Sequence, residues 1–404
     1  MGEPLKPQVL SLYIHIPFCR RKCSYCDFLS WPDRLEMLAP YVAALVSEIS
    51  QYRGVLSERQ VSTVFFGGGT PSLLTSDQVN QIIETISAAG TLLPDAEISL
   101  EANPEMLTED ILRGYREAGV NRLSLGLQST HEALLTFLGR HHSPADFYHA
   151  VESARKAGFS NISGDLIFGI PGQSLDSWHQ SLEKMVQLQL DHLSCYGLTY
   201  EKGTPLFDRL FQNQFQAVDE DLEWKMFRHA IDWLQAQGYD HYEISNYAKP
   251  GNQCRHNLTY WKNREYLGVG AGAHGFLNGE RYENTVSLEE YVKRLKEKEY
   301  PVANRQRVSL RESVSETCFL SLRLREGISE SAFQHRYGRS LMDFYPVVLP
   351  RLMEKRLLVR EDGRVRLTET GIDFSNQVFT ALMLDENAED QPDESEVAGL
   401  TNGG

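Results

Sequence analysis

The sequence predicts an α/β fold: a parallel sheet of about six β-α units followed by a smaller, mostly helical domain. Three observations carry this expectation. Short β-rich runs alternate with longer amphipathic segments from Leu10 onward; several of those segments open on a Ser or Thr suited to an N-cap; and the alternation stops after about residue 285. The β-rich runs are LSLYIHI (10–16), VSTVFF (61–66), AEISLEA (96–102), NRLSLGLQ (121–128), ISGDLIFG (162–169) and HLSCYGLTY (192–200). Between them lie helical patterns such as 34–50, 76–89 and 174–188. Units in series imply a parallel sheet flanked by helices, either open and doubly wound or curled into a partial or complete barrel. Each arrangement gathers functional groups at the C-terminal ends of the strands.

Beyond residue 285 the segments SLEEYVKRLKEK, VSETCFLSLRL and FYPVVLPRLMEKR read as helices, and LLVREDGRVRLT reads as a hairpin around Asp362-Gly363. Helix, helix, hairpin, helix is a winged-helix-like layout, for which packing is a plainer use than DNA binding in so acidic a chain. The last twenty residues are acidic and poor in large apolar groups, a composition that predicts disorder. The expected organisation is therefore a tail at 1–9, a core domain at 10–285, a C-terminal helical domain at 286–383 and an acidic tail at 384–404.

A net charge of -15 over 404 residues argues against sequence-independent binding to nucleic acid, which draws its affinity from Lys and Arg neutralising phosphates. The N-terminus lacks the apolar core of a signal peptide, and nowhere is there an apolar run of about 18 residues. Only six cysteines occur, three of them scattered at Cys195, Cys254 and Cys318, which is no disulfide framework. A cytoplasmic protein without an integral membrane segment is expected.

The other three cysteines, Cys19, Cys23 and Cys26, stand in CRRKCSYCDF just after the first strand. A disulfide uses two thiols and a closed structural zinc site usually takes four ligands, so three thiols suggest a centre with a vacancy. Three thiolates can hold three irons of a 4Fe-4S cluster and leave the fourth iron open. The zinc alternative adds His15 or a water as fourth ligand; His15 also reads as an ordinary core histidine. The second strand ends in Gly67-Gly68-Gly69-Thr70-Pro71, a turn at which a ligand can approach the backbone. Glu101, Gln128 and Asp165 lie in or at the ends of later strands, and together suggest a ligand with several polar handles.

The combination of YIHIPFCRRKCSYCDF, FFGGGTP, SLEANPE, RLSLGLQS, LGRHH and GDLIFGIPGQ resembles the radical S-adenosylmethionine (SAM) superfamily, and within it the HemN/HemW group of oxygen-independent coproporphyrinogen oxidases and heme chaperones. The resemblance spans roughly residues 10–380. It implies a partial barrel and a 4Fe-4S cluster on Cys19, Cys23 and Cys26, with the amino and carboxylate groups of S-adenosylmethionine on the open iron; that cofactor supplies radical chemistry when reduced. It further implies that Gly68, Gly69 and Thr70 meet the methionine end, that Tyr13, Glu101, Gln128, Arg140 and Asp165 contact the methionine and nucleoside parts, and that Tyr25 lies against the adenine.

Two features select within the group. The oxidases resemble C-x3-C-x2-C-x-C with a longer leader, whereas here Phe28 occupies the position of the further cysteine. His256-Asn257-Leu258-Thr259-Tyr260-Trp261 matches an HNxxYW motif of the chaperone branch, which implies heme binding with His256 as an accessible axial ligand. Cys254 is a second candidate for the iron, and His141 and His142 read as loop residues or support for the cofactor. The leading expectation is a heme chaperone that binds cluster, S-adenosylmethionine and heme and passes heme to acceptor apoproteins, with respiratory-chain proteins, an electron donor and transient membrane visits implied by the resemblance. The alternative is an oxygen-independent coproporphyrinogen-III oxidase. Whether the chain is an enzyme is left open by the sequence.

Overall fold

The computed structural model describes residues 8–384; most of the two expected tails lies outside them. The chain divides into two compact units. The first comprises residues up to Thr259 together with Arg264–Arg307, and the second comprises Tyr260–Asn263 and the residues from Val308 onward.

The first unit is built on one twelve-stranded sheet. Its strands are β1 (Gln8–Ile16), β2 (Arg59–Gly68), β3 (Thr91–Ala102), β4 (Arg122–Gln128), β5 (Asn161–Phe168), β6 (His192–Gly197), β7 (Asp240–Glu243), β8 (Asn246–Ala248), β9 (Tyr266–Val269), β10 (His274–Leu277), β11 (Glu280–Asn284) and β12 (Val302–Arg307). Strands β1 to β6 are parallel, as the alternation of runs predicts; they lie in chain order, the arrangement of a barrel and not of a doubly wound sheet. β9 adds to β1 in parallel, β10 to β12 continue antiparallel beyond it, and β8 and β7 close the other side. The intervening helices have caps of the expected kind: Thr75 and Ser174 each form capping boxes, and the first of these helices spans Ser76–Ala89.

Side-chain direction along the parallel strands positions the site. On β1, Leu10, Leu12, Ile14 and Ile16 are at most 1% exposed and form one row, while Ser11, Tyr13 and His15 form the other. The same division recurs as Ile98, Leu100 and Ala102 against Glu97, Ser99 and Glu101, and as Leu123, Leu125 and Leu127 against Arg122, Ser124 and Gln128. A parallel sheet covered on both faces ordinarily reads as a continuous apolar run. Here one face packs on helices and the other is polar yet buried. One helix, Arg255–Trp261, lies against three neighbouring strands of that face: its Thr259 Oγ1 meets Ser11 Oγ on β1 at 2.8 Å, its His256 Nδ1 meets Thr63 Oγ1 on β2 at 2.8 Å, and its His256 N–H donates to Glu97 on β3.

The first unit runs past the domain boundary expected at residue 285. β12 pairs with β11 from Val302 to Arg307, so this strand extends the sheet and the helix Leu288–Lys296 before it belongs to the first unit. β12 is mostly exposed, and VANRQR carries no apolar alternation by which a sequence reading finds a strand.

The second unit contains the helices Leu310–Arg323, Glu330–Tyr337, Val348–Glu354 and Ser375–Ala381 and a small sheet of β13 (Ile328–Ser329), β14 (Leu358–Glu361) and β15 (Arg364–Leu367). The expected hairpin forms at Asp362-Gly363, with φ of 50° and 70°, the paired left-handed conformation of a tight two-residue turn. Arg360, Arg364 and Arg366 pair with Glu330, Glu326 and Glu361 at 2.9, 3.3 and 2.7 Å. The wing's cations are thus interleaved with carboxylates and do not form a bare positive row.

Candidate cofactor site

Cys19, Cys23 and Cys26 occupy the loop leaving β1, at the C-terminal edge of the parallel strands. All six cysteines are free, and Cys19 is buried while Cys23 and Cys26 are half-buried. The glycine turn after β2 holds this loop. Gly69 N–H donates to Ile16 O at 2.9 Å and Thr70 N–H to Phe18 O at 2.7 Å, while the Thr70 hydroxyl reaches Cys19 Sγ at 3.5 Å. Gly68 N–H donates to Glu101 Oε2 at 3.2 Å. The N–H groups that sequence reasoning offered to a ligand are therefore engaged by the protein, and the turn works as a clasp on the cysteine loop. Gly68 has φ +110°, and a Cβ there would stand 2.5 Å from the His15 ring, so both conformation and space require glycine.

His15 is the strut of the arrangement. Its Nε2–H donates to Leu29 O at 3.1 Å, which leaves Nδ1 to accept from the Tyr13 hydroxyl at 2.9 Å. Burial lowers its pKa to about 4, so it stands neutral. With both ring nitrogens engaged, His15 does not serve as the fourth ligand of a zinc site. Among the described residues no three His, Cys, Asp or Glu side chains are arranged to hold one metal ion. A cluster makes a different demand, because each thiolate takes a separate iron and the sulfurs stand farther apart than around a single ion.

A cleft of about 280 Å³ opens beside the loop, lined by Arg20, Cys23, Thr70, Asn103, Glu105 and Arg140 among others. Arg140 is fixed by donating to Gly126 O at 2.8 Å and Asn103 Oδ1 at 3.1 Å, with its Nη1 3.6 Å from Cys23 Sγ. Its Nε is buried without a hydrogen-bond partner, a donor left over for an anionic group. Tyr25 turns inward onto Leu134, Leu138, Ile167 and Leu198.

Tyr13, Glu101, Gln128 and Asp165 lie on the polar face of the sheet. Burial, then the neighbouring Asp165 charge, raises the Glu101 pKa to about 7; burial also raises Asp165, whose oxygens accept from Ser124 at 3.3 Å. Two partly buried carboxylates that each resist ionisation make a place where a cation is welcome. Gln128 is 9% exposed with φ 70°, in a register shift of β4 that turns the chain at the strand end. The donors and acceptors present fit S-adenosylmethionine: carboxylates for its ammonium and sulfonium, and Arg140 for its carboxylate.

His256 is the main departure from expectation. It is 0% exposed, stacked on Phe65 with ring centroids 5.0 Å apart, and bonded to Thr63. Burial, then Arg122, lowers its pKa to about 3. Its helix begins against Glu97, whose carboxylate accepts from Arg255 N and His256 N at 2.9 and 3.0 Å, an anion placed on a helix N-terminus. The accessible imidazole expected from the motif is instead part of the buried floor, because the helix packs against the polar face of β1 to β3. Cys254 is also 0% exposed; burial pushes its thiol pKa up to about 12, against an iron-ligand role. Tyr260 and Trp261 fall in the second unit, where Arg323 lies 4.4 Å over the Trp261 ring. His142 is buried and donates to Leu127 O at 3.1 Å, whereas exposed His141 contacts Arg21 at 3.2 Å.

Sequence reasoning did not single out Arg122, which is 2% exposed, or Glu97, Ser124, Asn103 and His192 as site-face residues. The signal was available: polar residues at every second position in strands otherwise fit for a buried parallel sheet.

Fold and site together define a class: a parallel-sheet protein with an open three-thiol loop at the C-terminal edge of its strands, beside a cleft fit for a charged ligand. Comparison with known proteins agrees. Residues 13–185 match the Radical SAM superfamily and residues 308–374 the HemN C-terminal domain. The chain is 37% identical over 376 residues to the heme chaperone HemW of Bacillus subtilis, covering 92% of this chain and 99% of that one. It is 42% identical over 268 residues to heme chaperone HemW of Escherichia coli, covering 66% and 70%. Coproporphyrinogen III oxidase (HemN) of Escherichia coli superposes with a TM-score of 0.80 at 21% identity, covering 94% of this chain and 91% of that one. The chain belongs to the radical SAM superfamily, in the family many of whose curated members are named heme chaperone HemW. Membership of that superfamily implies a 4Fe-4S cluster and S-adenosylmethionine. No described helix is long and apolar enough to cross a membrane.

Proposed function

We propose that the protein is a heme chaperone that carries a 4Fe-4S cluster on Cys19, Cys23 and Cys26, binds S-adenosylmethionine and hands heme to acceptor apoproteins. The observation that carries the reading is the match to HemW chaperones along nearly the whole chain. Phe28, in the position where the oxidases carry a further cysteine, supports the same branch.

When bound, the cluster supplies one-electron reduction of S-adenosylmethionine. The chain's own residues bind and orient. Glu101 and Asp165 receive the positive groups, Arg140 receives the carboxylate, Gly68, Gly69 and Thr70 fix the cysteine loop beside the methionine end, Gln128 and Tyr13 line the nucleoside side, and Tyr25 gives an apolar wall for the adenine. For His256 to meet heme iron, the helix Arg255–Trp261 has to leave Glu97 and Thr63, so the imidazole of the folded state is better read as floor than as first point of capture. Domain limits follow the same reading, with a radical SAM core followed by a HemN-like C-terminal domain. Delivery to respiratory-chain proteins, an electron donor, a cytoplasmic location and transient membrane visits belong to this reading as well.

The test is anaerobic reconstitution with iron and sulfide, then addition of heme and S-adenosylmethionine. Uptake of about one heme and its transfer to an apo-acceptor support the chaperone. No heme uptake, together with decarboxylation of coproporphyrinogen III to protoporphyrinogen under reducing conditions, overturns it in favour of the oxidase.

A further inference from the structure

The register of the outer strands places one accessible imidazole beside the cofactor site. β9 pairs with β1 so that Tyr266 stands opposite Ser11 and Gly268 opposite Tyr13, while Leu267 and Val269 join the apolar row of Leu12 and Ile14. Tyr266 is therefore on the polar face. β10 sets Phe276 opposite Tyr266, and cross-strand partners share a face, so Phe276 and, two positions earlier, His274 lie on the polar face as well. The pairing of β10 with β11 adds Arg281 opposite Phe276 and Glu283 opposite His274. The Arg281 guanidinium lies 4.9 Å from the centroid of the Phe276 ring, in keeping with that shared side.

His274 also stands at the edge where the cofactor site lies. β9 runs parallel to β1 and the chain turns back at 270–273, so β10 begins at the C-terminal edge of the parallel strands. The turn packs on the segment after the cysteines: a Cβ at Gly272 would run into Leu29 Cδ2, and Leu29 O is the acceptor of His15. After burial, the charge that His274 carries when protonated helps to hold His15 neutral. On this face His15, His192 and His256 are at most 6% exposed, whereas the His274 side chain is 69% exposed. The Glu283 carboxylate stands 4.0 Å from its Nδ1, and its Nε2 makes no hydrogen bond to the described residues.

We infer that His274 is the axial ligand through which the protein takes heme iron, bound by Nε2 on the cofactor face with Glu283 behind Nδ1. The inference rests on the heme-handling reading above and supplies the iron ligand that buried His256 does not. The chemistry selects this occupant. A lone imidazole is too few for zinc, which takes three or four protein ligands, and no such group of ligands stands together among the described residues. It is enough for heme, whose porphyrin nitrogens already fill four positions on the iron. An exposed ion pair contributes little to stability. Behind a metal-bound imidazole the same carboxylate keeps the proton on Nδ1 and makes Nε2 a stronger donor. Arg281 adds a positive charge on this face, the sign that attracts a heme propionate.

The test titrates cluster-reconstituted full-length protein with ferric heme, reading the Soret band and the electron paramagnetic resonance of the iron, with cluster absorbance and the thermal midpoint as checks on the fold. His274→Ala is expected to lose the signature of histidine ligation and to bind ferric heme about tenfold more weakly. Metal-free protoporphyrin IX should bind wild type and variant alike, and free imidazole should restore the ligated spectrum to the variant. Glu283→Gln is expected to keep the ligation and raise the heme reduction potential, because a less anionic imidazole favours ferric iron less. If wild-type protein binds heme and His274→Ala keeps the wild-type spectrum and affinity, the assignment of His274 is refuted while heme handling stands. If wild-type protein takes up no heme, the heme-handling reading itself falls.

Discussion

Glu101 shows how a single residue couples charge to ligand binding. Its carboxyl has a pKa of about 7 in the folded protein, raised from the ordinary value by burial and then by Asp165. Below pH 7 the group is mostly protonated and offers a cation little; above it the carboxylate stands ready. Affinity for S-adenosylmethionine should therefore rise from pH 6 to pH 8, by up to about tenfold per unit below the pKa if Glu101 is the dominant partner. Isothermal titration at several pH values checks this, and Glu101→Gln should flatten the profile. For stability the sign is opposite: a raised carboxyl pKa favours the fold below the unfolded value and costs stability as pH climbs through 7. Gly68 makes a second point at this scale. With φ +110° and His15 in the way, Gly68→Ala should cost about 2–3 kcal/mol in urea unfolding. The three cysteines were legible as residues because their number and spacing stand apart in a cysteine-poor chain. Glu97 was not, since nothing in AEISLEA reveals that its carboxylate will cap a helix that begins 158 positions later.

At the scale of elements, the helix Arg255–Trp261 is the informative one. At seven residues it is too short to be stable alone, so tertiary contacts hold it: Glu97 at its N-terminus, Thr63 on His256 and Ser11 on Thr259. Glu97→Ala removes the acceptor of two backbone N–H groups and should destabilise by about 2–3 kcal/mol, with hydrogen exchange quickening first in residues 255–259. His256→Ala leaves a cavity against Phe65 and Thr63. Its expected signature is a lowered thermal midpoint without a change in the heme absorbance of reconstituted protein. The parallel strands β1 to β6 were readable because each carries its own apolar row. The strands β7 to β12 were not: most are three to six residues long, and what makes them strands is the neighbour they pair with.

At the scale of the first unit, a second buried carboxylate ties distant parts of the chain. Glu48 accepts from Gly270 N at 2.8 Å, Asn284 Nδ2 at 2.7 Å and the Tyr291 hydroxyl at 2.5 Å. Burial raises its pKa to about 7 against these three bonds. Glu48→Ala orphans three donors and should cost about 3 kcal/mol or more, read as a lower urea midpoint. The loop it fixes lies close to the strut of the cysteine loop: a Cβ at Gly270 would meet His15 O at 2.6 Å. Loss of Glu48 should therefore also lower the amount of cluster retained after reconstitution, measured as iron per chain.

The sequence by itself determined that the first six strands are parallel, the place of the cysteine loop at their C-terminal edge, and the need for a ligand to complete a three-thiol site. These follow from local periodicity and from the valence of the residues, neither of which depends on distant neighbours. Only the tertiary structure decided that the second face of the sheet is a polar interior, that the glycine turn clasps the cysteine loop, and that His256 is floor. The physical reason is separation along the chain: His256 meets Thr63 across 193 residues. Burial of that imidazole is a property of how its helix packs on strands far earlier in the chain, and the motif in which it sits carries no record of that packing.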